Sequence, residues 1–199
     1  FQVLSELTRL RQLCCDPALV YENYEGGSAK LDLCIELIQS AVESGHKILL
    51  FSQFTSMIEI LTARLQEESI SCFVLQGSTK KEQRAQMVEQ FNRDDTSVFC
   101  ISLKAGGTGL NLTGADIVIH YDPWWNVAVE NQATDRAHRI GQKNVVTVYK
   151  LIAKGTIEEK IIKLQQMKKE LAEEILSGDE IKTASFQREE LLELLEERF

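Results

Sequence analysis

Five short apolar runs, at 47–54, 72–75, 98–102, 117–121 and 145–152, alternate with stretches whose apolar residues recur at helical spacing. This alternation is what most restricts the fold. The runs are apolar at consecutive positions, not at every second one, so they predict strands covered on both faces. Strands of that kind, separated by helices, predict an α/β fold built on a parallel sheet with helices on both faces. In such a sheet ligands bind beyond the carboxyl ends of the strands. Residues 51–54, 76–78, 102–109 and 122–125 all follow strands, so whatever they carry is expected on one rim.

The helical stretches have clear punctuation. Residues 3–14 alternate Leu and Arg and stop at Asp16-Pro17, and a polar loop follows at 21–28. Leu31, Cys34, Ile35, Ile38 and Val42 mark a helix that Gly45 ends, and Ile58, Leu61 and Leu65 mark the next. Ala85, Val88 and Phe91 mark another, before the strand at 98–102. Beyond the last strand, Ile157, Ile161, Leu164, Leu171 and Ile175 form the stripe of a long helix. A polar loop at 177–185 and an acidic amphipathic helix at 187–198 complete the pattern. The expected organisation is an N-terminal helix and loop (1–28), a sheet domain (29–155) and C-terminal amphipathic helices (156–199).

The formal charge is −8, and residues 156–199 hold 12 of the 30 acidic but 7 of the 22 basic side chains. A global positive field for nucleic acid is therefore excluded, and any such contact must be local. The five cysteines form no C-x-x-C pair, which points to a reducing, intracellular compartment and to Cys72 and Cys100 as core residues. No apolar run is long enough to span a bilayer, so no membrane partner is expected. Opening at Phe1 instead of Met, the chain reads as a piece of a longer protein.

Two segments carry chemistry. Lys104–Asn111, KAGGTGLN, follows a strand, and its glycines let backbone approach a ligand closely. It is read as leading into a short helical segment. Its G-G-x-G spacing differs from the dinucleotide fingerprint, and no Lys-Ser/Thr follows the last glycine, so it is not a phosphate-cradling P-loop. Gln132–Gln142, QATDRAHRIGQ, places Arg136 and Arg139 three apart, on one face of a helical turn. Planar guanidiniums match phosphate oxygens. The competing reading is a solvated ion-pair face with Glu130 or Asp135. An arginine pair without a P-loop suggests half of an ATPase. His138 reads as a hydrogen-bonding residue, His46 and His120 lack ligand spacing, and no metal site is expected. Adjacent Trp124 and Trp125 must point apart, with at least one in the core.

These segments resemble a known family. Ile48–Phe54 resembles motif IV of superfamily 2 helicases, Leu75–Asn92 the block after it, Ser102–Asp116 motif V and Gln132–Gln142 motif VI. Their order is similar to the C-terminal RecA-like lobe of Swi/Snf-type ATPases, double-stranded-DNA translocases that include chromatin remodellers. The resemblance runs from about residue 29 to residue 175. It implies that Arg136 and Arg139 act as arginine fingers and that Gly109, Asn111 and Gln132 lie near the nucleotide. It implies a DNA-backbone groove lined by Ser52, Gln53, Gly77, Ser78, Ser102 and Lys104. ATP with Mg2+ would be held mainly by an N-terminal lobe outside this chain, which alone should be inactive. Residues 157–175 correspond to a segment that braces the lobes. The acidic final helix matches nothing in the family and is assigned to a protein partner. The Pro-Trp-Trp-Asn segment after Asp122 looks more like bacterial or archaeal members, hence a cytoplasmic or nucleoid setting, or the nucleus in a eukaryote. A non-catalytic RecA-like binding module and an RNA or single-strand helicase lobe stay open as alternatives.

Overall fold

The computed structural model describes residues 2–103, 105, 110–138, 142 and 144–176. Among them, helix α1 (Gln2–Cys15) ends at Asp16, whose carboxylate accepts from the Ala18 N–H at 2.8 Å and caps a single 3-10 turn, Pro17–Leu19. Ser28 opens α2 (Ala29–Glu43) by accepting from Leu31 N–H, and Gly45, at φ +81°, closes it. Then come β1 (Ile48–Ser52), α3 (Thr55–Glu67), β2 (Cys72–Leu75), α4 (Lys81–Arg93) and β3 (Val98–Ser102). After them follow β4 (Ile117–His120), α5 (Val127–Thr134), β5 (Thr147–Lys150) and α6 (Ile157–Leu176).

The strands form one sheet in the order β2-β3-β1-β4-β5, and each of its pairings is parallel. Side chains alternate between faces, which explains why the central strands are apolar at every position. Ile48, Leu50, Val98 and Cys100 face α2 and α3, packing on Ile38, Ile58 and Leu61. Leu49, Phe51, Phe99 and Val118 face the other way, with Phe91 of α4 and Ala133 of α5. Cys72 packs on the first layer and Cys100 is fully buried within it; the five cysteines are free thiols.

The sheet departs from expectation at one edge. Thr147–Lys150 of β5 is exposed throughout, and Val145 is 89% exposed. The helices cover the middle of the sheet and do not reach this edge, so the last run is not covered on both faces as the others are. A second difference concerns the segment after the glycines, where residues 110–116 hold a turn at 113–114 and no helix. At the other end, α6 packs its stripe on α1, where Leu7 meets Ile157 and Ile161, with Leu164 beside them. The side chains of Leu171 and Ile175, the loop at 177–185 and the helix expected at 187–198 lie outside the described residues.

Candidate nucleotide and nucleic-acid interface

β1 lies between β3 and β4, and the chain leaves β1 toward β2 but leaves β4 toward β5. Connections departing in opposite directions open a crevice at the carboxyl ends of β1 and β4. Asp122, just past β4, sits there and is 1% exposed. Its carboxylate accepts from the Ser52 hydroxyl at 2.6 Å, from the Gln53 N–H at 3.2 Å and from the Gln53 side-chain amide. Burial pushes the Asp122 carboxyl up, while Ser52 and Arg11 pull it back. Arg11 of α1 reaches in from the side. Its Nη2 lies 3.8 Å from Asp122 and donates to the Pro123 carbonyl at 2.6 Å, and its guanidinium stacks 4.9 Å from the Trp125 ring.

A second buried pair lies below. Lys30 Nζ is 2.5 Å from a Glu158 oxygen and also donates to the Tyr121 carbonyl at 3.2 Å. Glu158 has no exposed side-chain surface, accepts the Ala153 N–H at 2.7 Å, and has its carboxyl pushed up by burial. Neither Arg11, Asp122, Lys30 nor Glu158 stands out in the sequence. Arg11, Lys30 and Glu158 are charged residues on helices and Asp122 follows a strand, so no local pattern sets them apart.

The two chemistry-bearing segments are fastened together. Leu112 N–H donates to the Arg136 carbonyl at 3.0 Å. The Gln142 amide donates to the Ala115 carbonyl at 2.7 Å and to the Ala137 carbonyl at 3.3 Å. Asn92 of α4 holds the same stretch, donating to the Asn111 carbonyl and accepting the Gly114 N–H, each at 2.9 Å. A Cβ on Gly114 would fall 3.1 Å from the Asn92 Cα, so this approach needs glycine.

The expected site residues are placed as follows. Past the end of α5 at Thr134, Arg136 lies in a turn closed by bonds from its own N–H to Ala133 and from Ala137 N–H to Thr134, both 3.1 Å. It is 2% exposed, because Ala133 and Ala137 on either side belong to the core and draw the turn inward. Gln132 and Asn111 are exposed. Gly77 and Ser78 are exposed after β2, in a turn held by Arg84, whose guanidinium donates to the Gly77 carbonyl at 3.0 Å. Gln53 is half-buried. Ser52 and Ser102 are buried, 0% and 2% exposed, and the Ser52 hydroxyl donates to Asp122. Both are the last residues of central strands that are buried along their whole length. Gly109, Lys104 and Arg139 lie outside the described residues. Trp124 packs on the α4–α5 layer and Trp125 on the α1–α6 contact, so the pair does point apart. His120 is buried, donating or accepting with Thr134 Oγ1 at 3.0 Å, and no group of His, Cys, Asp or Glu able to hold a metal occurs among the described residues.

The family model of the helicase conserved C-terminal domain matches residues 29–141. An uncharacterised ATP-dependent helicase of Mycoplasma pneumoniae is 44% identical over 98% of this chain, and the match covers 19% of that protein. The human chromatin-remodelling ATPase INO80 is 43% identical over 84% of this chain and 11% of its own length. The Sulfolobus solfataricus SWI2/SNF2 ATPase core in complex with double-stranded DNA is 37% identical, covering 89% of this chain and 38% of that one, with a TM-score of 0.73. The chain thus spans a fifth or less of the Mycoplasma and human proteins and about two fifths of the Sulfolobus chain. With the matching sheet, the rim and the two fastened motifs, it belongs to the helicase conserved C-terminal domain family and is the C-terminal RecA-like lobe of a Swi/Snf-type ATPase.

Proposed function

We propose that this lobe is the second half of an ATP-driven double-stranded-DNA translocase, and that it supplies arginine side chains to ATP held by a lobe outside this chain. One observation carries most of the reading. The arginine segment is tied to residues 112–115, between the glycine-rich loop and β4, by the Arg136 carbonyl and the Gln142 side-chain amide. Arg139 is the finger in this reading. Arg136, buried beneath the turn, adds charge from below and holds the segment rigid. Asn111 and Gln132, both exposed, and Gly109 face the nucleotide. Mg2+ travels with ATP, held mainly by the lobe outside this chain.

The DNA backbone is met by Gln53, Gly77, Ser78 and Lys104, while Ser52 and Ser102 support the rim from beneath. Contacts of this type carry no base information, so binding is sequence-independent. Closing of the cleft brings the arginines to charge that develops on the γ-phosphate, and each cycle changes which lobe grips the duplex. The DNA-bound Sulfolobus relative supports this choice over a single-strand or RNA lobe.

Two measurements test it. In the parent protein, Arg139→Ala lowers kcat by about 10³- to 10⁵-fold with ATP affinity nearly intact; lost affinity with turnover preserved would make it a binding residue. Residues 1–199 alone hydrolyse no ATP, and robust DNA-stimulated hydrolysis by them would refute the half-site reading.

A further inference from the structure

Past the end of β4 the backbone leaves the sheet, and three of its next four carbonyls are each taken by a side chain from a different helix. Lys30 of α2 donates to the Tyr121 carbonyl at 3.2 Å, Arg11 of α1 to the Pro123 carbonyl at 2.6 Å, and Gln165 of α6 to the Trp124 carbonyl. Between them, the Asp122 carboxylate turns the other way and holds Ser52 and Gln53 at the end of β1. Arg11 and Gln165 are 3% and 7% exposed. On its far side the segment runs into Asn126, which caps α5, and α5 leads to Arg136.

A stretch with no ladder of its own takes its orientation from the side chains that hold it. Two of those side chains come from α1 and α6, which pack on each other, and the grip of Arg11 on Asp122 ends at Gln53. We propose that Arg11 is a positioning residue: through Asp122 it sets Gln53 and so couples the α1–α6 pair to the DNA-facing rim. Gln53 as a DNA contact comes from the proposed function, on which this inference rests. The arrangement is two-sided, because the Arg11 guanidinium is stacked on Trp125 and lies 5.7 Å from the Phe54 ring, next to Gln53. A shift of α1 along its contact with α6 therefore moves both ends of the crevice together.

The test uses the parent ATPase. Arg11→Ala raises the double-stranded-DNA concentration giving half-maximal ATPase by about 10- to 100-fold, the effect expected of misplacement by an ångström or so, while ATP affinity stays within about twofold. The double variant Arg11→Ala/Gln53→Ala is no worse than the poorer single variant, because both act on one contact. If Arg11→Ala does not fold, Arg11→Lys keeps the buried cation and gives an intermediate shift. Wild-type half-saturation with only a lower melting temperature overturns the proposal, as do additive losses in the double variant. Absence of DNA-stimulated hydrolysis in the wild-type parent instead overturns the proposed function, and this inference with it.

Discussion

His120 offers the sharpest test of how burial sets stability in this fold. It ends β4, is 1% exposed, and lies stacked on Phe51 with ring centroids 5.5 Å apart. Nε2 faces Thr134 Oγ1 at 3.0 Å, while Nδ1 is buried with no hydrogen-bond partner among the described residues. Burial, helped by Lys150, lowers its pKa from 6.5 to about 4. Since the folded pKa is depressed, the fold's advantage is complete above 6.5 and is lost as pH falls through 6.5 toward 4. The unfolded chain takes the proton first, at about 1.4 kcal/mol per pH unit over this window. The loss is roughly 2 kcal/mol by pH 5 and about 3 kcal/mol by pH 4, a large part of the 5–15 kcal/mol typical of a domain. Other groups titrate in the same window, so the comparison is with His120→Phe. That variant keeps the ring on Phe51 and removes the proton site, and Thr134 still donates to the Glu130 carbonyl. Urea unfolding at pH 7, 6, 5 and 4 should show wild type falling about 3 kcal/mol further than the variant. Parallel pH profiles would mean that folded His120 takes a proton as easily as a free histidine, and the burial argument would fail.

Lys30→Met leaves Glu158 with the Ala153 N–H but no cation, at a cost of about 3–5 kcal/mol. The Glu158 carboxyl is already raised by burial, and losing Lys30 raises it further, so this deficit must grow as pH rises above 4.5; urea unfolding at pH 5 and pH 8 reads the difference, and a pH-independent deficit would count against it. Replacing both partners, Lys30→Met/Glu158→Leu, recovers most of the loss in the same assay. Gly45→Ala costs about 1 kcal/mol from its φ of +81° alone, since a Cβ there meets nothing within 4 Å; a neutral result in thermal melting would mean that the turn relaxes.

Much of the architecture was legible because it is written in local patterns. Runs that are apolar at every position need two covered faces, and Cys72–Leu75 and Val98–Ser102 have the strand bounds that their residues suggest. Gly45 ends α2 because few other residues adopt its φ. The common rim followed from strand direction alone. Less was legible where three-dimensional neighbours decide. Ser52 and Ser102 are polar residues at strand ends, a position that suggests exposure, yet they are buried like the rest of their strands. Nothing local told that Arg136, in the turn just past α5, is drawn inside by the core alanines on either side.

Fold class, the order of strands and helices along the chain, and family are all written in the amino-acid order, because periodicity and motif spacing are properties of neighbours in the chain. The convergence of Arg11, Lys30 and Gln165, separated by up to 154 positions, on three carbonyls of one short segment emerges in the folded chain alone. The physical reason is that a buried charge is stable only where partners from distant elements satisfy it. No local pattern encodes where those partners will meet.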